Sequence, residues 1–211
     1  MGCVVCLEGP SAVGKTTLAA ALARECGAAV VAELDAGPAP PVGQSAAWFV
    51  EQHAALWRCA QGLTSSAPLV VLDGDPFKGF WYNRVYAEEG WEGVDAVAPL
   101  YRAQVERGAL AFPDLYVVLT ASVEELRRRR DADATRRRRN FDKHLRLVEP
   151  LRRYFSALRE AAPARVIFPD TRRRDHLVGE VTAALKRLPP SAPDSPRLFE
   201  HIITWVRSQP R

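Results

Sequence analysis

Five short apolar runs punctuate the chain, at residues 2–7, 28–32, 69–72, 115–119 and 165–168. Each is nearly continuous rather than alternating, the pattern of strands covered on both faces. Between them lie stretches with helical character, over 15–26, 44–62, 77–110, 123–160 and 175–187. Strands alternating with helices predict a three-layer α/β architecture: a five-stranded parallel sheet with helices on both faces. The Gly/Pro-rich stretches 36–43 and 189–196 read as loops. Beyond the second, Leu198, Ile202 and Trp205 recur at helical spacing with Phe199 and Val206 beside them. The predicted division is therefore a main domain over 1–188, then a Pro-rich linker and a C-terminal amphipathic helix over 189–211. That helix needs a surface to cover. Its own domain is the expected one, and a homodimer contact is the sharper alternative.

Composition narrows the classes. The 211 residues fit one domain, and no apolar run is long enough to cross a bilayer. Four cysteines are too few for a disulfide scaffold. Cys3 and Cys6 have C-x-x-C spacing, but on a strand they face opposite sides, so a shared metal is not expected. No charged leader or cleavage site opens the chain, and nothing requires an oxidising compartment, so the expected location is cytoplasmic. Charge is unevenly spread. Residues 121–174 hold 17 Lys/Arg against 8 Asp/Glu, whereas the remainder holds 12 against 17. A basic segment within a mildly acidic chain points to a local anionic partner. Nucleic acid is disfavoured, because the Arg runs lack interleaved aromatics and a known binding signature.

The sharpest chemistry lies at residues 9–16. Gly9, Pro10, Ser11, Ala12, Val13, Gly14, Lys15 and Thr16 match G-x-x-x-x-G-K-[ST], between an apolar run and a strong helix former. In a phosphate-binding loop of this kind the glycines let backbone N–H groups turn inward, and the helix N-terminus adds partial positive charge. Gly9, Ser11, Ala12, Val13, Gly14, Lys15, Thr16 and Thr17 are the candidate nucleotide contacts. Lys15 is expected to reach the β- and γ-phosphates of ATP, and the Thr16 hydroxyl to ligate Mg²⁺. No N-K-x-D motif follows the fourth strand, which disfavours a guanine-specific switch.

The chain resembles the deoxynucleoside kinase and thymidylate kinase group of P-loop kinases over most of 1–188. Besides the P-loop, Ala32-Glu33-Leu34-Asp35 closes the second strand where the group carries an acid near the phosphoryl acceptor. Leu72-Asp73-Gly74-Asp75 closes the third where the group has an acidic–Arg pair, and residues 120–130 are similar to the exit into an Arg-bearing lid. The chain departs from the group in having Leu34 where the group has proline and Gly74 where it has arginine. The resemblance implies transfer of the γ-phosphoryl of ATP–Mg²⁺ to a small-molecule acceptor: a nucleoside, nucleotide or nucleoside-like natural product. A kinase of a non-nucleoside antibiotic and a nucleotide-binding regulatory module are the alternatives.

Site roles follow. Glu33 or Asp35 is expected to orient the acceptor, and Asp73 to hold Mg²⁺ through water, with Asp75 two residues on. The Arg runs at 127–130 and 136–139 flank a short segment that reads as a lid over about 127–140. Consecutive arginines on a helix point in all directions, so one or two per run can face a nucleotide. Arg136 and Arg138 are the candidates. The acceptor pocket is expected between 46–61 and 77–101, with Trp48 and Gln52 one helical turn apart and Arg84 opposite.

Overall fold

The computed structural model of the protein describes residues 2–33, 45–133 and 141–209. Five strands, β1 (Cys3–Glu8), β2 (Ala29–Val31), β3 (Leu69–Asp73), β4 (Leu115–Val118) and β5 (Val166–Ile167), form one sheet in the order β2-β3-β1-β4-β5. All four pairings are parallel, as the apolar runs predict. β1 lies at the centre, with Val5 opposite Val71 of β3 and Leu115 of β4. Alternation along β1 sends Val4 and Cys6 into one core and Val5 and Leu7 into the other. Cys3 packs with the second core, so the C-x-x-C thiols do face opposite sides.

The helices are α1 (Lys15–Cys26), α2 (Ala46–Leu63), α3 (Lys78–Val85), α4 (Val94–Glu106), α5 (Val123–Asp131), α6 (Phe141–Leu145), α7 (Val148–Ala161), α8 (Leu177–Leu185) and α9 (Ser195–Ser208). α1 and α8 cover one face of the sheet, helped by Leu126 of α5 and Phe141 of α6. α2, α3, α4, α7 and α9 cover the other, around an aromatic core that includes Phe77, Tyr101, Tyr116, Phe155 and Phe199.

Two of the long predicted helices are broken. The stretch 77–110 divides into α3, a 3₁₀ turn at Ala87–Glu89 and α4. Gly90 and Gly93 turn the chain between them with φ of 87° and 80°, a region L side chains rarely adopt. The stretch 123–160 divides into α5, α6 and α7. Tight i→i+3 bonds from Arg146 to Lys143 and from Leu147 to His144 close α6, and Pro150 sits in the first turn of α7, where its missing N–H costs little.

α9 is the predicted C-terminal helix. The Asp194 side chain caps it by accepting from Arg197 N at 3.1 Å. Phe199, Ile202, Ile203 and Val206 are buried against α4 and α7, each burial being favourable by roughly 1.5–3 kcal/mol. The amphipathic face thus lies on the chain's own sheet-covering layer. Among the described residues no helix is long and apolar enough to cross a membrane.

Candidate active site

The loop after β1 has the backbone of a phosphate cradle. Gly9 and Gly14 take φ of 148° and 115°, and Ala12 takes 70°, a rare value for a residue with a Cβ. A Cβ at Gly9 would stand 2.4 Å from the Leu119 carbonyl oxygen, so the loop can pass β4 only with glycine there. α1 starts at Lys15, and its N-terminus points into a pocket of about 560 Å³. Residues 10–18 line that pocket together with Glu33, Asp73, Arg129 and His144. The Lys15 ammonium donates to the Gly9 carbonyl at 2.7 Å, folding the side chain over its own loop.

The acids at the strand exits have unlike surroundings. Asp73 ends β3, and its Oδ1 is buried with no hydrogen-bond partner among the described residues. Burial pushes its pKa up, with Glu33 adding to the rise and Lys15 opposing it. A buried, unpaired carboxylate oxygen beside a phosphate cradle fits a site for a divalent cation, with Thr16 the second candidate ligand on the same pocket wall. Glu33, after β2, forms an ion pair with Lys78. Burial works against its charge, but Lys78 and Lys15 outweigh that and hold its pKa down at about 2. Lys78 also lies 3.5 Å from Glu8, and these two acids together outweigh burial and hold the ammonium well above the ordinary lysine range.

Lys78 also accounts for Gly74. That residue has φ of 112°, and a Cβ on it would stand 3.2 Å from the Lys78 ammonium and 3.4 Å from Glu33 Oε1. Lys78, from the first turn of α3, thus occupies the space that a side chain at position 74 would need.

Asp75 is 1% exposed. Its Oδ1 accepts from Phe77 N at 3.0 Å and from the Tyr116 hydroxyl at 2.9 Å, and its Oδ2 accepts from the Trp81 indole at 3.1 Å. Burial and then Glu8 push its pKa up to about 7. With both oxygens engaged, this side chain anchors the β3–α3 turn, although it borders a second cavity.

That cavity, of about 320 Å³, is walled by aromatic and aliphatic side chains including Phe49, Leu56, Tyr82, Tyr86 and Trp91. It shares Glu33, Asp73 and His144 with the phosphate pocket, so the two spaces meet at these three residues. α2 presents Ala46, Phe49, His53 and Leu56 to it, a 3-4-3 stripe. Trp48 and Gln52 lie one residue, about 100°, off that stripe and do not line the cavity. Arg84 does not line it either, and donates instead to the Gln209 carbonyl at 3.1 Å. Asp35, Arg136 and Arg138 lie outside the described residues.

Four side chains near the meeting point escaped the sequence reading. Glu8, 1% exposed, accepts from Gly9 N at 2.8 Å and from Asp75 N at 2.9 Å, joining the phosphate loop to the β3 exit. His53, 6% exposed, reads from sequence as an ordinary buried histidine. His144 lies in α6, and burial, then Lys78 and Lys15, lower its pKa. Arg129 donates to the Val13 carbonyl at 2.9 Å and to the Thr171 carbonyl at 3.3 Å, tying α5 to the phosphate loop. Its signal was present: Glu125 stands four residues earlier and holds Arg129 Nε at 2.6 Å. Arg128 stays in solvent and Arg130 covers the Phe141 ring, so the first Arg run does divide by helical direction.

Comparison with known proteins supports the fold. The structure is similar to the deoxyadenosine kinase from M. mycoides with bound dATP, at a TM-score of 0.59 and 11% identity, over 86% of this chain and 98% of that one. It is similar to thymidylate kinase from Candida albicans at a TM-score of 0.55 and 14% identity, over 88% and 92% of the two chains. It also matches the NadR protein in complex with NR at a TM-score of 0.55 and 20% identity, over 92% of this chain and 53% of that one. No family model matches the sequence, and no curated protein matches it. The protein has the P-loop kinase fold, which it shares with the deoxyadenosine kinase and thymidylate kinase structures.

Proposed function

We propose that the protein is an ATP-dependent phosphotransferase that moves the γ-phosphoryl group of ATP–Mg²⁺ to a hydroxyl of a small, flat-ringed acceptor, a nucleoside or a nucleoside-like natural product. The observation that carries this is the meeting of a phosphate cradle and an aromatic cavity at Glu33, Asp73 and His144. A donor in one and an acceptor in the other would have their reacting atoms side by side, and phosphoryl transfer is chiefly a matter of such positioning.

In this reading Lys15 and the loop amides hold the β- and γ-phosphates, and Thr16 and Asp73 would hold the magnesium ion. When bound, that ion neutralises charge building on the phosphate oxygens. Glu33, with its pKa held at about 2, is far too weak a base to take a hydroxyl proton early. Its part is to accept a hydrogen bond from the acceptor hydroxyl and aim the oxygen, while Lys78 fixes its carboxylate. A hydroxyl is favoured over a phosphate acceptor because Glu33 and Asp73 would repel a second anion there. Among the described residues the lysines facing the cavity are Lys78, already paired with Glu33, and Lys143, which lies 4.2 Å over the Tyr86 ring. Arg136 and Arg138 are proposed to add guanidinium charge from the lid.

The test is a phosphoryl-transfer screen with ATP–Mg²⁺ across nucleosides, nucleoside monophosphates and hydroxylated antibiotics. Transfer to a nucleoside but not to its monophosphate is the expected result. Tight ATP binding with no transfer to any acceptor would overturn the kinase reading in favour of a nucleotide-binding module.

A further inference from the structure

At the wall of the acceptor cavity a chain of contacts fixes one histidine in a single form. Gly79 lies in the first turn of α3, where helix N–H groups lack partners within the helix. Tyr101 is fully buried, and its hydroxyl lies against the Gly79 backbone. Glycine is required for that approach, since a Cβ on Gly79 would stand 2.5 Å from the Tyr101 oxygen. With no solvent to take it, the Tyr101 hydroxyl proton needs an acceptor within the protein. His53 Nδ1 is the atom within reach, at 3.0 Å. Nδ1 is then the acceptor of that bond, and the ring proton resides on Nε2.

Burial, and then the Lys78 ammonium, hold the His53 pKa down at about 3, so the ring is neutral at physiological pH. The ring borders the cavity, and no described residue is a hydrogen-bond partner of Nε2. An N–H donor open to the cavity without a protein partner is there for water or for an acceptor atom on a bound molecule. Its surroundings are Phe49 and Leu56 on α2 and Tyr82 across the cavity, a slot for a flat ring.

We infer that His53, locked by Tyr101 as the Nε2–H tautomer, is a specificity-determining donor that reads a carbonyl oxygen or ring nitrogen on the buried edge of the acceptor's heterocycle. This deepens the kinase reading and rests on it for the identity of the cavity. It sorts acceptors by chemistry. A heterocycle presenting such an acceptor atom at that edge is held, whereas one presenting an N–H there, or a sugar without a ring system, leaves the His53 donor unsatisfied.

Two measurements test it. The first is ¹⁵N–¹H imidazole NMR of the full chain, with the four common 2′-deoxynucleosides as probes and 2-deoxyribose as control. The expected result is an Nε2–H tautomer in the free protein and a shift of that resonance with at least one nucleoside but not with the sugar. An Nδ1–H tautomer, or no shift with any nucleoside, overturns the proposal whatever the phosphoryl-transfer screen gives. The second uses the best acceptor from that screen. His53→Leu is expected to raise its KM about tenfold with the KM for ATP unchanged, and His53→Gln, which keeps a donor, to restore part of the loss. Tyr101→Phe, which frees the tautomer, is expected to raise the acceptor KM by a smaller factor. An unchanged acceptor KM in folded His53→Leu would overturn the proposal while leaving the kinase reading intact. Absence of transfer in wild type with the nucleoside-specific Nε2–H shift present would overturn the kinase reading and support the donor role.

Discussion

The phosphate pocket and the acceptor cavity share three residues but are built by opposite means. Half of the lining of the first comes from one continuous stretch, residues 10–18, whose backbone is set by a few unusual φ angles. The second is made of side chains from α2, α3, α4 and α6, far apart in sequence. A backbone cradle presents the same donors whatever most of its side chains are, and so suits the triphosphate common to all donors. A cavity of side chains changes shape and chemistry with each substitution, and so suits the component that differs between substrates.

That contrast can be broken most severely on the nucleotide side. Lys15→Ala is expected to lower turnover on the order of 1,000-fold with the urea midpoint unchanged, and undiminished turnover would remove the loop from the site. Asp73→Asn is expected to lower turnover on the order of 100-fold, with a weaker dependence on magnesium concentration in a titration of initial rates. On the acceptor side, Gly79→Ala forces a methyl group against the Tyr101 hydroxyl and is expected to cost about 1–3 kcal/mol in urea denaturation. Unchanged stability would mean that the wall yields freely. The smallest effect is expected at Gln52. Gln52→Ala lies off the cavity stripe and should leave the acceptor KM within about twofold in steady-state kinetics.

The two sides also differ in how their acids respond to pH. The Asp75 pKa is raised from 3.8 to about 7, so the native state binds the extra proton, and this contribution to stability is full below pH 3.8 and lost as pH rises through about 7. Glu33 is lowered from 4.5 to about 2, so its contribution is full above pH 4.5 and lost as pH falls through about 2. Asp75→Asn should therefore flatten the fall in stability between about pH 4 and pH 7, as read from thermal melts across that range. An unchanged slope would separate Asp75 from the effect.

The same contrast decides what was legible in the chain. The five parallel strands and the layers follow from five apolar runs, and the cradle follows from eight consecutive residues, because both are local patterns. Asp73 and Glu33 were found because strand ends mark themselves by a change from apolar to acidic. The cavity face of α2 was not found. Trp48 and Gln52 have the same i, i+4 spacing as Phe49 and His53, and only packing against α3 and α4 fixes the rotation that chooses between them. Glu8 is invisible for another reason. An acid within an apolar strand gains its meaning from Lys78 and Asp75, some seventy residues away. The break in 77–110 was signalled by Gly90 and Gly93, but helical spacing continues through them and masked the signal.

Glu8 has one more consequence. Its two oxygens accept from Gly9, just beyond β1, and from Asp75, just beyond the neighbouring β3. It is a cross-tie: a ligand that displaced the loop would pull on the floor of the adjoining chamber through one side chain. Any preference that one ligand thereby creates for the other must be returned in equal measure, because the free energy of such a link has no direction.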